Sequence, residues 1–359
     1  MTNYSTTIPL LFYLVAAFTH LPTLDTTLTG TLIVLNKSDN TAMLIDRASG
    51  AVRAMVPTGK GPHEVAVSPD GKWAAVSNYG SREVPGNTLT VIDIRKGSKR
   101  KDIDLGEYHR PHGLAWLKEG SRLLVTVESE KSLLVVDVDS GKVVKAIRTD
   151  QDVSHMVVAT ADDRRAFVAN IGSGSVTVID LERDSVIKSI PTGAGAEGIA
   201  LSPDGKELWV TNRDGNNVSV IDTKTLAVVD SLHSESFPIR VKFTPEGEYA
   251  LVSNARSGNV TVFDVKQRKE IKKISFEVEA VSEAQQRLFG DRFNKGPIPI
   301  GIVIPPDGKL AYVANSNADV IAVVDLSMWK VTGWIKVGRE PDGLGFSPVV
   351  VAGDAKERN

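Results

Sequence analysis

An all-β fold, a seven-bladed β-propeller of four-stranded antiparallel blades, is predicted by three observations. The chain carries a repeat of about 42 residues, each repeat reads as strands, and the two chain ends complete each other's blade. Five segments share one plan: 66–78 (AVSPDGKWAAVSN), 200–212 (ALSPDGKELWVTN), 242–254 (KFTPEGEYALVSN), 303–315 (VIPPDGKLAYVAN) and the divergent 158–170 (VATADDRRAFVAN). An alternating strand ending in Asp follows each of them. Across the chain these aspartates are Asp46, Asp93, Asp137, Asp180, Asp222, Asp264 and Asp325, spaced 42 to 47 residues apart except for a last interval of 61. Seven units are therefore present, and insertions lengthen two of them.

Within a unit, Val, Ile and Thr recur with period two, the signature of strands. Ser-Pro-Asp-Gly makes the first hairpin: proline presets φ at one turn position and glycine accepts the positive φ that follows. Gly/Asn/Ser clusters such as Gly172-Ser173-Gly174 and Asp214-Gly215-Asn216 mark a second hairpin. The first unit begins at its second strand, 31–36 (TLIVLN), and 341–348 (PDGLGFSP) reads as a lone inner strand. Joined, they close the ring and remove its sheet edges.

The VSN/VTN/VAN segments, the SPDGK turn and the TVIDI-type strands resemble the YVTN repeat of YncE-like seven-bladed propellers of bacterial envelopes and archaeal surface layers. The resemblance covers residues 30–348 and implies a fold, since propellers host many unrelated functions. The tryptophan-docking motif of quinoprotein propellers and the Trp-Asp dipeptide of WD40 repeats are both absent. Three parts are expected: 1–29 as signal peptide and leader, 30–348 as propeller with an insertion at 275–299, and 349–359 as a polar tail.

A net charge of −2 supplies no global basic field, which argues against nucleic acid as a partner. The absence of cysteine excludes disulfides, thiolate nucleophiles, Cys-ligated zinc, iron–sulfur clusters and covalent haem attachment through Cys. The apolar run 8–18 (IPLLFYLVAAF) is too short to span a bilayer, and Val15-Ala16-Ala17 offers small residues suited to signal cleavage. A periplasmic or secreted location is expected. No Lys or Arg precedes Lys37, so a cytoplasmic protein with a disordered or strand-forming N-terminus is the alternative. No membrane span is expected in the propeller.

Chemistry is expected where the loops into the inner strands share one face, at the mouth of the central channel. The residue entering each inner strand forms the series Asp342, His63, His112, His155, Glu197, Ile239 and Ile300. Three of the chain's six histidines thus share one phase of the repeat. As metal donors the set is His63, His112, His155, Glu197 and Asp342, suited to Zn, Cu, Fe or Ni because neutral imidazole is their common ligand. As acid–base groups it is His112, His155 and Glu197. A solvated channel rim would tolerate the same histidines.

Charged and aromatic neighbours on that face, Tyr79, Arg82, His109, Arg110, Glu128, Arg213, Arg240, Arg256 and Arg339, are candidates for binding a small molecule or a protein partner, beside Lys60 and Glu64. Glu128 was aligned with the strand-ending asparagines Asn36, Asn78, Asn170, Asn212, Asn254 and Asn315, which are expected to cap turns. Segment 279–289 (EAVSEAQQRLF) has helical spacing and is expected to overhang the Ile239/Ile300 side as a lid. Two functions remain open. YncE-like kin imply a binding protein without turnover. RPHGLAW and GPHEVAVSPDGK resemble inner-strand motifs of lactonase-type and streptogramin-lyase-type propellers, which implies an enzyme with His112 or His155 as base or metal-assisted acid and Glu197 and Glu128 orienting it. A bound haem with His63, His112 or His155 as axial ligand is a third reading.

Overall fold

The computed structural model describes residues 28–280, 282, 293 and 296–352, so the apolar run 8–18 and most of the predicted helix 279–289 lie outside the described residues. Twenty-eight strands form seven four-stranded antiparallel sheets, and no helix occurs among the described residues. None, accordingly, is long and apolar enough to cross a membrane. The first blade is built from β1 (Thr31–Asn36), β2 (Thr41–Asp46) and β3 (Val52–Pro57) with the chain's last strand, β28 (Pro341–Ser347), at its inner edge. The other inner strands are β4 (Pro62–Val67), β8 (Pro111–Trp116), β12 (Ser154–Ala159), β16 (Ala196–Leu201), β20 (Pro238–Phe243) and β24 (Pro299–Val303).

Alternation explains the packing. In β1, Ile33 and Leu35 face the second blade while Leu32 and Val34 face the seventh, so both phases of the period are apolar and both are buried. One apolar cluster fills each of the seven blade interfaces, including the one across the closure. The largest fully buried side chain, Trp209, sits between the fifth and sixth blades against Phe243 and Phe263.

The repeated aspartates have one task. Asp46, Asp93, Asp137, Asp180, Asp222, Asp264 and Asp325 each accept the backbone N–H three residues on, at 2.6–3.0 Å, and so tie the turn into the outermost strand. The SPDG turn has Gly71 at φ +73° and Gly205 at φ +70°, the conformation only glycine adopts freely.

Closure follows the expected plan. β28 pairs antiparallel with β1, Ile33 opposite Gly345 and Val34 opposite Leu344. Arg47 clasps the joint: its buried guanidinium meets Asp307 and donates to Tyr312 Oη at 3.1 Å, between the first and seventh blades. Residues 349–352, expected within the tail, dock on the ring, with Val351 buried and Ala352 N donating to Arg95 O at 2.7 Å.

Each inner strand is entered through a left-handed residue: Glu340, Gly61, Arg110, Val153, Gly195, Phe237 and Ile298 all have positive φ. Only two of the seven are glycine. The conformation is held because each carbonyl accepts an N–H at the end of the second strand, at 2.9–3.2 Å, from Lys37, Tyr79, Glu128, Ile171, Arg213, Ala255 and Ser316. All seven inner strands then carry a register shift within their first residues, between pairs such as Pro111/Leu114 and Ser154/Met156. Such bulges re-aim side chains, and these stand at the channel mouth.

Candidate functional site

The inner-strand series converges as its phase predicts. His112 and His155 stack with ring centroids 3.6 Å apart, His63 lies 5.3 Å from His112, and Tyr79 closes the group at 4.5 Å from His63. His155 is 7% and His112 is 3% exposed, so these rings are part of the interior, and a freely solvated rim does not describe them.

A second ring of side chains lies around the first. It comes from the end of each second strand, from the same residue whose N–H holds the left-handed turn: Lys37, Tyr79, Glu128, Arg213 and Ser316 are its polar members. This corrects the sequence alignment of Glu128. The structural register sets Val127 opposite Pro111, as Asn78 is opposite Pro62 and Asn170 opposite Ser154, so Glu128 matches Tyr79 and Arg213 and not the asparagines. Those asparagines do secure turns: Asn78 Oδ1 accepts Gly59 N and Asn36 Oδ1 accepts Gly338 N, each at 3.0 Å.

Glu128 bridges two blades. It accepts from Tyr79 Oη at 2.5 Å and from His155 Nδ1 at 2.6 Å. On the other side, His155 Nε2 faces Glu197 Oε1 at 3.6 Å, an ion-pair distance beyond a hydrogen bond. Arg213 donates to Glu197 Oε2 at 2.9 Å. Arg240 meets both Glu197, at 3.4 Å, and Glu64, which lies across the channel in the second blade. Lys37 pairs with Asp342 at 3.4 Å.

These neighbours drive the imidazoles apart in acidity. Burial pulls His63 down to about 4, against the opposing pull of Asp342, and its Nδ1–H donates to Gly61 O at 2.8 Å. Burial, with the charges of His155 and His63 beside it, pushes His112 well below the ordinary value. Burial also opposes charge on His155, but its contacts with Glu128 and Glu197 outweigh it and raise the group. For Glu197, burial is overcome by His155, Arg213 and Arg240, which lower it to about 2. The protein thus disfavours charge on His63 and His112 and favours it on His155. Around them Glu64, Glu128, Glu197 and Asp342 face Lys37, Arg213, Arg240 and His155.

Among the described residues one group has metal-binding geometry: His112, Glu128 and His155, whose donor atoms all lie within 4.8 Å of one another. Two of the five expected metal donors are in it. His63 and Asp342 stand beside it, and Glu128 takes the place expected of Glu197. Ligands on a tetrahedral ion with bonds of about 2 Å are about 3.4 Å apart, so the group closes on an ion with a shift of about 1 Å. His112 Nδ1 is buried with no hydrogen-bond partner, as a nitrogen reserved for a ligand would be.

The other expected residues sit further out. Arg110 lies over the Tyr79 ring at 4.9 Å. His109 is bound to Glu130, Arg339 is paired with Asp39, and Arg82 is exposed, so these three stand outside the buried group. Arg256 lies over Phe237 and Phe293 at 5.4 and 5.0 Å. Phe293, from the insertion, packs with Phe237, Ile239 and Ile300 into an apolar wall. Lys37 carried no signal in its own neighbourhood; its position directly after the strand asparagine is the pattern that finds it.

Fold and mouth together define a seven-bladed β-propeller whose polar side chains are brought into one channel entrance by repeat phase. The chain is similar to YncE-like propellers. It is 28% identical to the uncharacterized protein YncE of Salmonella typhi over 119 residues, 33% of each chain. It is 26% identical to hydrazine synthase subunit beta of Kuenenia stuttgartiensis over 199 residues, 50% of this chain and 46% of that one. The chain therefore spans less than half the length of these curated relatives. The family described as the cytochrome D1 heme domain matches residues 114–282. A solved structure of Kuenenia stuttgartiensis hydrazine synthase superposes with a TM-score of 0.66 at 22% identity, over 79% of this chain and 88% of that chain, a likeness of fold.

Proposed function

We propose that this chain is an exported binding protein that holds one divalent transition-metal ion, Zn, Cu, Fe or Ni, at the channel mouth, with His112, Glu128 and His155 as its ligands. Two observations carry it: one donor atom from each of His112, Glu128 and His155 lies within 4.8 Å of the others, and His112 Nδ1 is buried with no hydrogen-bond partner. His63 and Tyr79 wall the site, while Glu197 and Arg240 set its charge. Export rests on the N-terminal apolar run and on the envelope setting of YncE-like kin.

The ion replaces the proton on His155, so affinity rises as pH climbs through that group's raised pKa, and about one proton leaves per ion bound near pH 6. Haem fits this site poorly. His112 is stacked on His155 at 3.6 Å and flanked by His63 and Tyr79, which leaves no face for a macrocycle beside its free nitrogen. The match to a haem-domain family supports kinship of fold here and nothing more.

A second reading, His-dependent catalysis, draws on the contrast between a neutral His112 and a charged His155 in contact, a base beside an acid. Calorimetric titration of metal-stripped protein with each of the four ions separates these readings. One ion bound with proton release, lost in the His112→Ala/His155→Ala variant, supports the metal site. Absence of binding for all four, or equal binding in the variant, overturns it.

A further inference from the structure

The ion pair of Arg240 with Glu64 runs across the channel between the sixth and second blades. Above it lie the histidines. Below it, toward the SPDG-turn face, is a cavity of about 620 Å³. Its walls are apolar side chains of the inner strands, among them Val65, Leu114, Met156, Val158, Ile199 and Leu344.

One residue breaks that pattern. At the fifth position of the inner strands the series reads Ala66, Ala115, Val158, Ala200, Val303 and Gly345, all small or apolar, and in β20 it reads Lys242. Lys242 lines the cavity and is reached by solvent along it. No hydrogen bond or ion pair engages its ammonium among the described residues, whereas Arg240, two residues earlier, is tied to Glu64 and Glu197. The surrounding protein disfavours its charge, with Glu64 pulling the other way and Arg240 reinforcing the effect. A long cationic side chain in an apolar tube has two uses. It can turn out to water, or it can meet an anion brought in by a partly apolar ligand. A chain that needed only a filled channel would keep the Ala or Val found in the neighbouring blades.

We propose that the lower channel is a binding site for a small amphiphilic monocarboxylate, entering from the SPDG-turn face, with its apolar body along the inner-strand walls and its carboxylate on Lys242. The ligand's charge pairs with Lys242, which no hydrogen bond or ion pair engages among the described residues, and its apolar part covers surface that water otherwise wets. This site shares Arg240 and Glu64 with the mouth, but its proposed anchor, Lys242, is not among the metal ligands.

Octanoate is the probe, with octanol and octylamine as controls, followed by chemical-shift mapping and calorimetry on the full chain. Octanoate is expected to shift β20 and its neighbours in the cavity, and to bind at least tenfold more tightly than octanol, with octylamine weaker still. Lys242→Met, which keeps the length and apolar character of the stem, removes the preference for the acid; Val158→Trp blocks both acid and alcohol by filling the tube. Both variants are checked for unchanged melting temperature. The His112→Ala/His155→Ala variant retains octanoate binding, which distinguishes this site from the metal proposal. Octanoate bound equally by the Lys242→Met variant, or shifts confined to the mouth, or no binding at millimolar concentration overturns the proposal.

Discussion

Replacing Glu128 with Gln tests the arrangement at the mouth where it is most constrained. The change keeps shape and volume but removes the charge that holds His155 Nδ1 at 2.6 Å and Tyr79 Oη at 2.5 Å. A hydrogen bond to a charged group contributes about 1.5–3 kcal/mol, and a neutral one about 0.5–1.5 kcal/mol, so downgrading the His155 bond costs about 1–2 kcal/mol. Because the folded pKa of His155 lies above its unfolded value, the stabilisation from its charged form is fully present below about pH 6.5 and is lost as pH rises through the folded pKa. The variant's deficit should therefore be largest near pH 5.5 and smaller at pH 9. Urea denaturation across that range measures it, beside the imidazole titration of His155, which should move down in the variant. An equal deficit at every pH, or an unmoved His155 titration, would refute the view that His155 carries its charge between Glu128 and Glu197.

Gly113→Ala places a Cβ 2.5 Å from His155 O and 2.7 Å from Met156 Cα, backbone atoms that cannot step aside. A loss of about 1–3 kcal/mol in chemical denaturation is expected, with shifted His112 and His155 ring resonances. Arg47→Met leaves Tyr312 and Asp307 without their donor at the closure; since Asp307 is 31% exposed and can rehydrate, the expected loss is about 1–3 kcal/mol, read from the urea midpoint.

What could be read from residues alone was what repeats. Seven aspartates fixed the number of blades because each performs the same turn closure, and residues 341–348 declared the ring closure by lacking a partner strand. The histidine phase was legible for the same reason: equal positions on successive inner strands meet at one point in a ring. Glu128 was singled out through a mistaken alignment, since the third blade's second strand ends in Val127 and shifts the count by one. The Arg240–Glu64 pair was hidden because it joins blades far apart in the chain, 176 residues, and repeat phase says nothing about which side chain is long enough to cross. The left-handed entries at Val153 and Ile298 were equally silent, as β-branched residues give no local hint of positive φ; the surrounding hydrogen bonds impose it.

The joint between β28 and β1 also sets a clock. Thr31 Oγ1 donates to Val349 O, a partner 318 positions later, so the first blade can be finished only after that whole stretch has been made. At about 5–20 residues per second, ribosomal synthesis of that stretch takes about 15–60 s. Throughout that interval the inner edge of β1 is unfilled, and once the seventh blade has formed its facing flank stays open until β28 joins, so an incomplete ring exposes apolar interfaces that the finished one hides. The last strand made is the one that ends the danger of edge-to-edge association. A nascent chain that must stay threadable would have its longest delay built into the order of its own blades.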